Sequence, residues 1–155
     1  MLKSKTSAYI SLGVCIASAV LLVAWLFKFP AFIRWFYFRY HLLAQDEAML
    51  NRAVSLLIPA FYICAPFAAA ALWMLIRLLL NVLHTKIFIR ANVLYLRYVS
   101  WCCYAVLAVT FGFGLRYAPL MIVAFAMGVV GTLLRVVKNI LQAAVELREE
   151  NDLTI

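Results

Sequence analysis

Long apolar stretches, interrupted at wide intervals by Lys and Arg, set the pattern of this chain. Four runs contain no Asp, Glu, Lys or Arg: residues 6–27, 53–76, 98–115 and 117–134, which are 22, 24, 18 and 18 residues long. A helix needs roughly 20 apolar residues to cross a hydrocarbon core about 30 Å thick. Each run therefore predicts a transmembrane helix, while the next-longest charge-free runs, such as 78–85, are far too short. Only Arg116 separates the last two runs. Read as one helix they would cover 37 residues, 98–134, too many for a single crossing. Gly112, Gly114 and Pro119 flank the break and favour a tight helical hairpin, with Arg116 at the membrane surface. The apolar runs are continuous rather than alternating, which argues against a β-barrel and for helices that satisfy their own backbone polar groups. The predicted spans cover residues 6–27, 53–78, 95–115 and 117–138, in a single domain over 1–155. Beyond the last span, Val137, Leu141, Ala144 and Arg148 share one helical face, and Lys138, Gln142 and Glu149 share another. That periodicity predicts a helical extension and tail over 139–155.

Composition sharpens the picture. Of the 155 residues, 68% are hydrophobic and 13% charged, against about half and a quarter in a soluble domain. The mean hydropathy is +1.02. A water-soluble enzyme domain, a disordered chain and a disulfide-stapled secreted fold are all excluded. The fold class is an all-α membrane protein, four transmembrane helices in a bundle.

Charge gives the orientation. Lys and Arg collect on the cytoplasmic side of short loops. With the N-terminus inside, that side holds nine of them: Lys3, Lys5, Arg77, Lys86, Arg90, Arg97, Arg135, Lys138 and Arg148. The outside holds five: Lys28, Arg34, Arg39, Arg52 and Arg116. Both termini are therefore expected inside. The net charge of +8 follows from this bias and from attraction to anionic headgroups. No basic run is long enough to track a nucleic-acid backbone, so direct nucleic-acid binding is not expected. Lys3 and Lys5 ahead of an apolar stretch resemble a signal peptide. The stretch is longer than a usual signal core and three spans follow it, so it is read as a retained span.

Several features qualify the spans. Eight aromatics fall between residues 27 and 40: Phe27, Phe29, Phe32, Trp35, Phe36, Tyr37, Phe38 and Tyr40. They predict a segment in the outer interface or an extension of the first helix, and an aromatic belt is favoured over a sensing surface. Pro59 and Pro66 interrupt the second span, and Pro66 removes the backbone bond to Tyr62. Small residues recur four apart at Gly13 and Ala17, at Ala65 and Ala69, and at Ala124, Gly128 and Thr132. Such spacing lets helices approach closely in lipid, either within the bundle or across a homo-oligomer seam.

The missing chemistry is informative. No charged residue lies at the centre of a span, so no acid is placed to relay protons. That argues against a pump, a proton-coupled carrier and an intramembrane protease. His41 and His84 are isolated and without metal-ligand spacing. Cys15, Cys64, Cys102 and Cys103 lie inside spans and read as small packing residues. No catalytic residue, cofactor or metal site is expected, and the chain is not expected to be an enzyme.

Two polar segments remain. The loop over 78–97 carries Lys86, Arg90 and Arg97 without an acid. The tail carries four of the six acids: Glu146, Glu149, Glu150 and Asp152. Opposite signs on one side of the membrane predict that loop and tail pair, or that they form a docking surface with Leu153 and Ile155 as apolar anchors.

These two segments also carry a resemblance. Leu147, Glu149, Glu150, Asn151, Asp152, Leu153, Thr154 and Ile155, together with Phe88, Asn92, Leu96, Arg97 and Trp101, resemble a bacterial family of short four-span membrane proteins classed only as a domain of unknown function. The chain departs from the family pattern at Thr85, Leu141 and Ala144. The resemblance implies a protein of the bacterial cytoplasmic membrane, encoded beside a small helix-turn-helix regulator of the phage-repressor type. It implies a role in holding or controlling such a regulator through Phe88, Asn92, Arg97, Glu149, Glu150, Asn151, Asp152, Leu153, Thr154 and Ile155. The alternatives are an accessory subunit of a small-solute transporter or channel, and a purely structural, lipid-organising protein.

Overall fold

The computed structural model describes residues 2–41, 47–84 and 88–152; within them, the side chains of 2–5, 37, 38, 40, 41, 47–50 and 152 lie outside the description. Four α-helices account for nearly all of it: α1 (Leu2–His41), α2 (Glu47–Leu83), α3 (Arg90–Gly114) and α4 (Pro119–Asp152). Each is long and apolar enough to cross a membrane. At about 1.5 Å per residue, α1, α2 and α4 outreach a hydrocarbon core by many ångströms. The chain is an all-α, multi-pass membrane protein.

The predicted corner between the third and fourth runs is present. Helix α3 ends at Gly114 and α4 opens on Pro119, a residue that fits the first turn because the missing N–H has no intrahelical partner there. The N–H groups of Leu115, Arg116 and Tyr117 donate to the carbonyls of Phe111 and Phe113 and close the turn. Arg116 is exposed. Gly114 is buried, and a Cβ there would come within 2.9 Å of Cγ and Sδ of Met121.

The helices associate as an open row of hairpins. Helix α1 lies against α2, α2 against α3, and α3 against α4; among the described residues no other pair of helices brings α-carbons within 8 Å. Helix α3 is the most enclosed, with Asn92, Leu96, Val99, Ser100, Cys103, Thr110 and Gly114 buried. Its contact with α4 runs along small residues. Ala124 is 3% exposed. A Cβ on Gly131 would lie 3.2 Å from the Cβ of Cys103, and one on Gly128 would lie 2.7 Å from Cδ1 of Leu107. By contrast, Gly13 on α1 faces open space. Of the three small-residue pairs or stripes, the one on α4 lines the contact with α3, and Gly131 belongs with it; Ala65 of the α2 pair is buried as well.

The aromatic segment after residue 27 continues α1 as a helix through Pro30. Proline at 30 leaves the carbonyl of Leu26 without its intrahelical N–H. The hydroxyl of Tyr62 on α2 donates to that carbonyl at 2.8 Å. Phe29 stacks on Phe61 with centroids 4.0 Å apart, beside the edge-on pair Trp25 and Phe32. The proline therefore persists because the neighbouring helix supplies the lost donor. Helix α2 likewise runs unbroken through Pro59 and Pro66. Several hydroxyls bond back to their own helices, including Ser18 to the carbonyl of Val14 and Thr110 to that of Val106. Such bonds leave few polar atoms facing lipid unsatisfied.

Candidate functional site

Chemistry concentrates where α2 ends, α3 begins and α4 ends. This is the end of the row that also carries the start of α1. Three polar layers follow one another there.

The outermost layer joins loop and tail. Arg90, in the first turn of α3, grips Glu149 near the end of α4: Nε donates to Oε1 at 2.9 Å and Nη2 to Oε2 at 2.6 Å. This is the bidentate geometry that matches guanidinium to carboxylate. Both side chains are substantially exposed, so the pair contributes little to stability. It sets a register between two helix ends instead. Gln142 donates to Glu146 at 2.9 Å along the same helix.

The second layer is buried. Asn92 is 1% exposed and its Oδ1 accepts from Nδ2 of Asn81 at 2.8 Å, linking the end of α2 to the start of α3. Burying an amide requires such partners.

The third layer is basic and lies between α3 and α4. Arg97, the residue before the third charge-free run, lines a groove with Lys138, and Arg135 follows the fourth run directly. The guanidinium of Arg135 lies 4.8 Å from the Trp101 ring centroid and 5.2 Å from that of Tyr104, an orientation favoured by the negative faces of the rings. Lys138 Nζ donates to Oδ1 of Asn139 at 3.0 Å. The buried hydroxyl of Ser100 donates to the carbonyl of Arg97.

The residues singled out by sequence are thus distributed over different environments. Glu149 meets Arg90, Asn92 is enclosed with Asn81, and Arg97 lines the basic groove. Phe88 is 43% exposed, and Glu150 and Asn151 are exposed on the last turn of α4. For Asp152 only the backbone is described; Leu153, Thr154 and Ile155 lie outside the described residues. Sequence reasoning did not single out Asn81, Arg135 or Trp101 as parts of one site. The signal for the last two was an Arg at one run's end and a Trp near another's start, whose pairing depends on hairpin register. Among the described residues no group of His, Cys, Asp or Glu could hold a metal ion, and the four cysteines are free.

No curated protein and no solved structure matches the chain. Residues 31–155 match the family model described as "Protein of unknown function (DUF2975)".

Proposed function

We propose a regulatory role for this chain, which belongs to the DUF2975 family of proteins of unknown function: it docks a cytosolic helix-turn-helix regulator at a bacterial cytoplasmic membrane. The observation that carries this reading is the Arg90–Glu149 clasp. It holds the start of α3 against the end of α4 and so presents an ordered helical ridge beyond the apolar spans. That ridge exposes Glu146, Leu147 and Glu150, an apolar anchor with two acids, and Arg148 is exposed beside it. A helix-turn-helix protein carries a basic face for phosphate backbones, and an acidic ridge complements it. Occupying that face would keep the regulator from its operator.

Two further features support the reading. The excess of Lys and Arg on the ridge side favours a cytoplasmic location for it. The spans lack central charges of the kind that carry protons or ions. The test is co-purification in mild detergent with the tag on the N-terminus and the C-terminus free. A helix-turn-helix protein should accompany the full chain and be lost from a chain ending at Glu146. Equal recovery with both chains, or with neither, overturns the proposal.

A further inference from the structure

The basic groove between α3 and α4 has features that the docking ridge does not explain. Three cations converge on it, Arg97, Arg135 and Lys138, and no acid lines it. Like charges gathered at one site repel one another and are normally relieved by a counter-charge. Glu149 serves that purpose for Arg90; the nearest acid along α4, Glu146, lines the adjoining cleft, to which Arg97 and Lys138 also contribute, but among the described residues it bonds to Gln142 and pairs with neither cation. Among the described residues, the side chain of Arg97 bonds to no acid. Arg135 is held in place by Trp101 and Tyr104, leaving its N–H edge available for a planar or tetrahedral oxyanion. The groove has a volume of about 470 Å³ and opens to its surroundings.

Its level along the helices identifies the anion. The apolar run of α3 starts at residue 98, just past Arg97, and that of α4 stops at 134, just before Arg135. Trp101, an aromatic of the kind enriched at headgroup depth, forms the wall on the apolar side. The floor of the groove therefore meets acyl chains while its rim meets water. A soluble anion needs only the rim; a phospholipid satisfies both.

We propose that this groove binds the phosphate of one anionic phospholipid, with Arg97 and Lys138 clasping the phosphate from opposite helices and Arg135 beneath it. The lipid supplies the counter-charge that the protein withholds. The groove takes the lipid whether or not the ridge docks a regulator.

Native mass spectrometry of the purified full chain tests this, with phosphatidylglycerol and phosphatidylcholine titrated separately. The expected result is clear preference for the anionic lipid, and a loss of roughly thirty-fold in its affinity for the double variant R97Q/K138Q. Arg77→Gln is the control. Asn81 pairs with Asn92, which puts Arg77, four residues back, near the level of Arg97, yet Arg77 packs by Trp73 outside the groove. Its loss should weaken binding about twofold or less. Circular dichroism accompanies each variant, and Arg97→Gln alone, at an exposed position, serves if the double variant loses helicity. Equal losses for Arg77→Gln and the groove variants would reduce the effect to general surface charge and overturn the proposal. So would the absence of any preference between lipids. Displacement of the lipid by an excess of inorganic phosphate would assign the groove to a soluble anion and overturn it too.

Discussion

The α1–α2 hairpin and the α3–α4 hairpin solve one problem by different means. Lipid tails are as apolar as leucine, so helices in a bilayer gain little by hiding apolar surface from them. Helices α3 and α4 come together through absence of bulk: Gly131 lies against Cys103 and Tyr104, and Gly128 against Leu107. Close approach there yields dense van der Waals contact. Among its described residues, α1 has no such glycine contact with α2. It is held by stacked rings and by one hydroxyl, that of Tyr62, on a carbonyl released by proline. Ile33 is the one buried apolar side chain described on α1. The difference teaches that α3–α4 is the rigid unit, and that α1 depends on a few directional contacts with α2.

The largest expected effect breaks the rigid side. Gly131→Leu inserts a side chain where even a Cβ is tight, and should destabilise the α3–α4 pair by about 3 kcal/mol. Thermal unfolding in mild detergent would show it, and Gly13→Leu, which faces open space on α1, should leave the midpoint unchanged. A similar loss at both positions would remove the contrast between the hairpins.

Next comes the buried amide pair that joins the two units. Asn81→Leu takes a donor from the enclosed Oδ1 of Asn92 and should cost about 1–2 kcal/mol, read in the same unfolding experiment. Tyr62→Phe removes only the hydroxyl that serves Leu26 and should cost about 0.6–1.7 kcal/mol. Its effect should appear as easier proteolysis of α1, with the α3–α4 fragment left intact. The smallest effect is at the clasp. Because Arg90 and Glu149 are exposed, Glu149→Gln should not shift the unfolding midpoint measurably. It should instead increase the separation of the α3 and α4 ends seen by spin-label distance measurement, and the charge-swapped pair R90E/E149R should restore it.

Much of this was legible in the sequence. The charge-free runs locate four helices, and Arg116 between Gly114 and Pro119 marks the corner. The opposite charges of loop and tail anticipate their pairing, and Arg90 with Glu149 fulfils it. The continuation of α1 past residue 27 was one of two readings the sequence allowed; what selects it, the Tyr62 hydroxyl that serves the carbonyl freed by Pro30, was not legible because it lies on another helix. Nor was the open row, since apolar periodicity in lipid does not say which neighbour a face meets. Asn92 illustrates the same limit. The resemblance marked it as a partner contact, yet its amide is committed to Asn81, a pairing that only helix register reveals.

The proline in α1 bears on how the protein is made. Leu26 leaves the ribosome 36 residues ahead of Tyr62, the side chain that serves its carbonyl. In a first span inserted alone, that carbonyl, one residue from the end of the charge-free run at 27, is left to interfacial water. Insertion of the first two spans together, as a preformed hairpin, avoids that state. Pairing of α1 with α2 during insertion is thus expected to exchange that water for the Tyr62 hydroxyl.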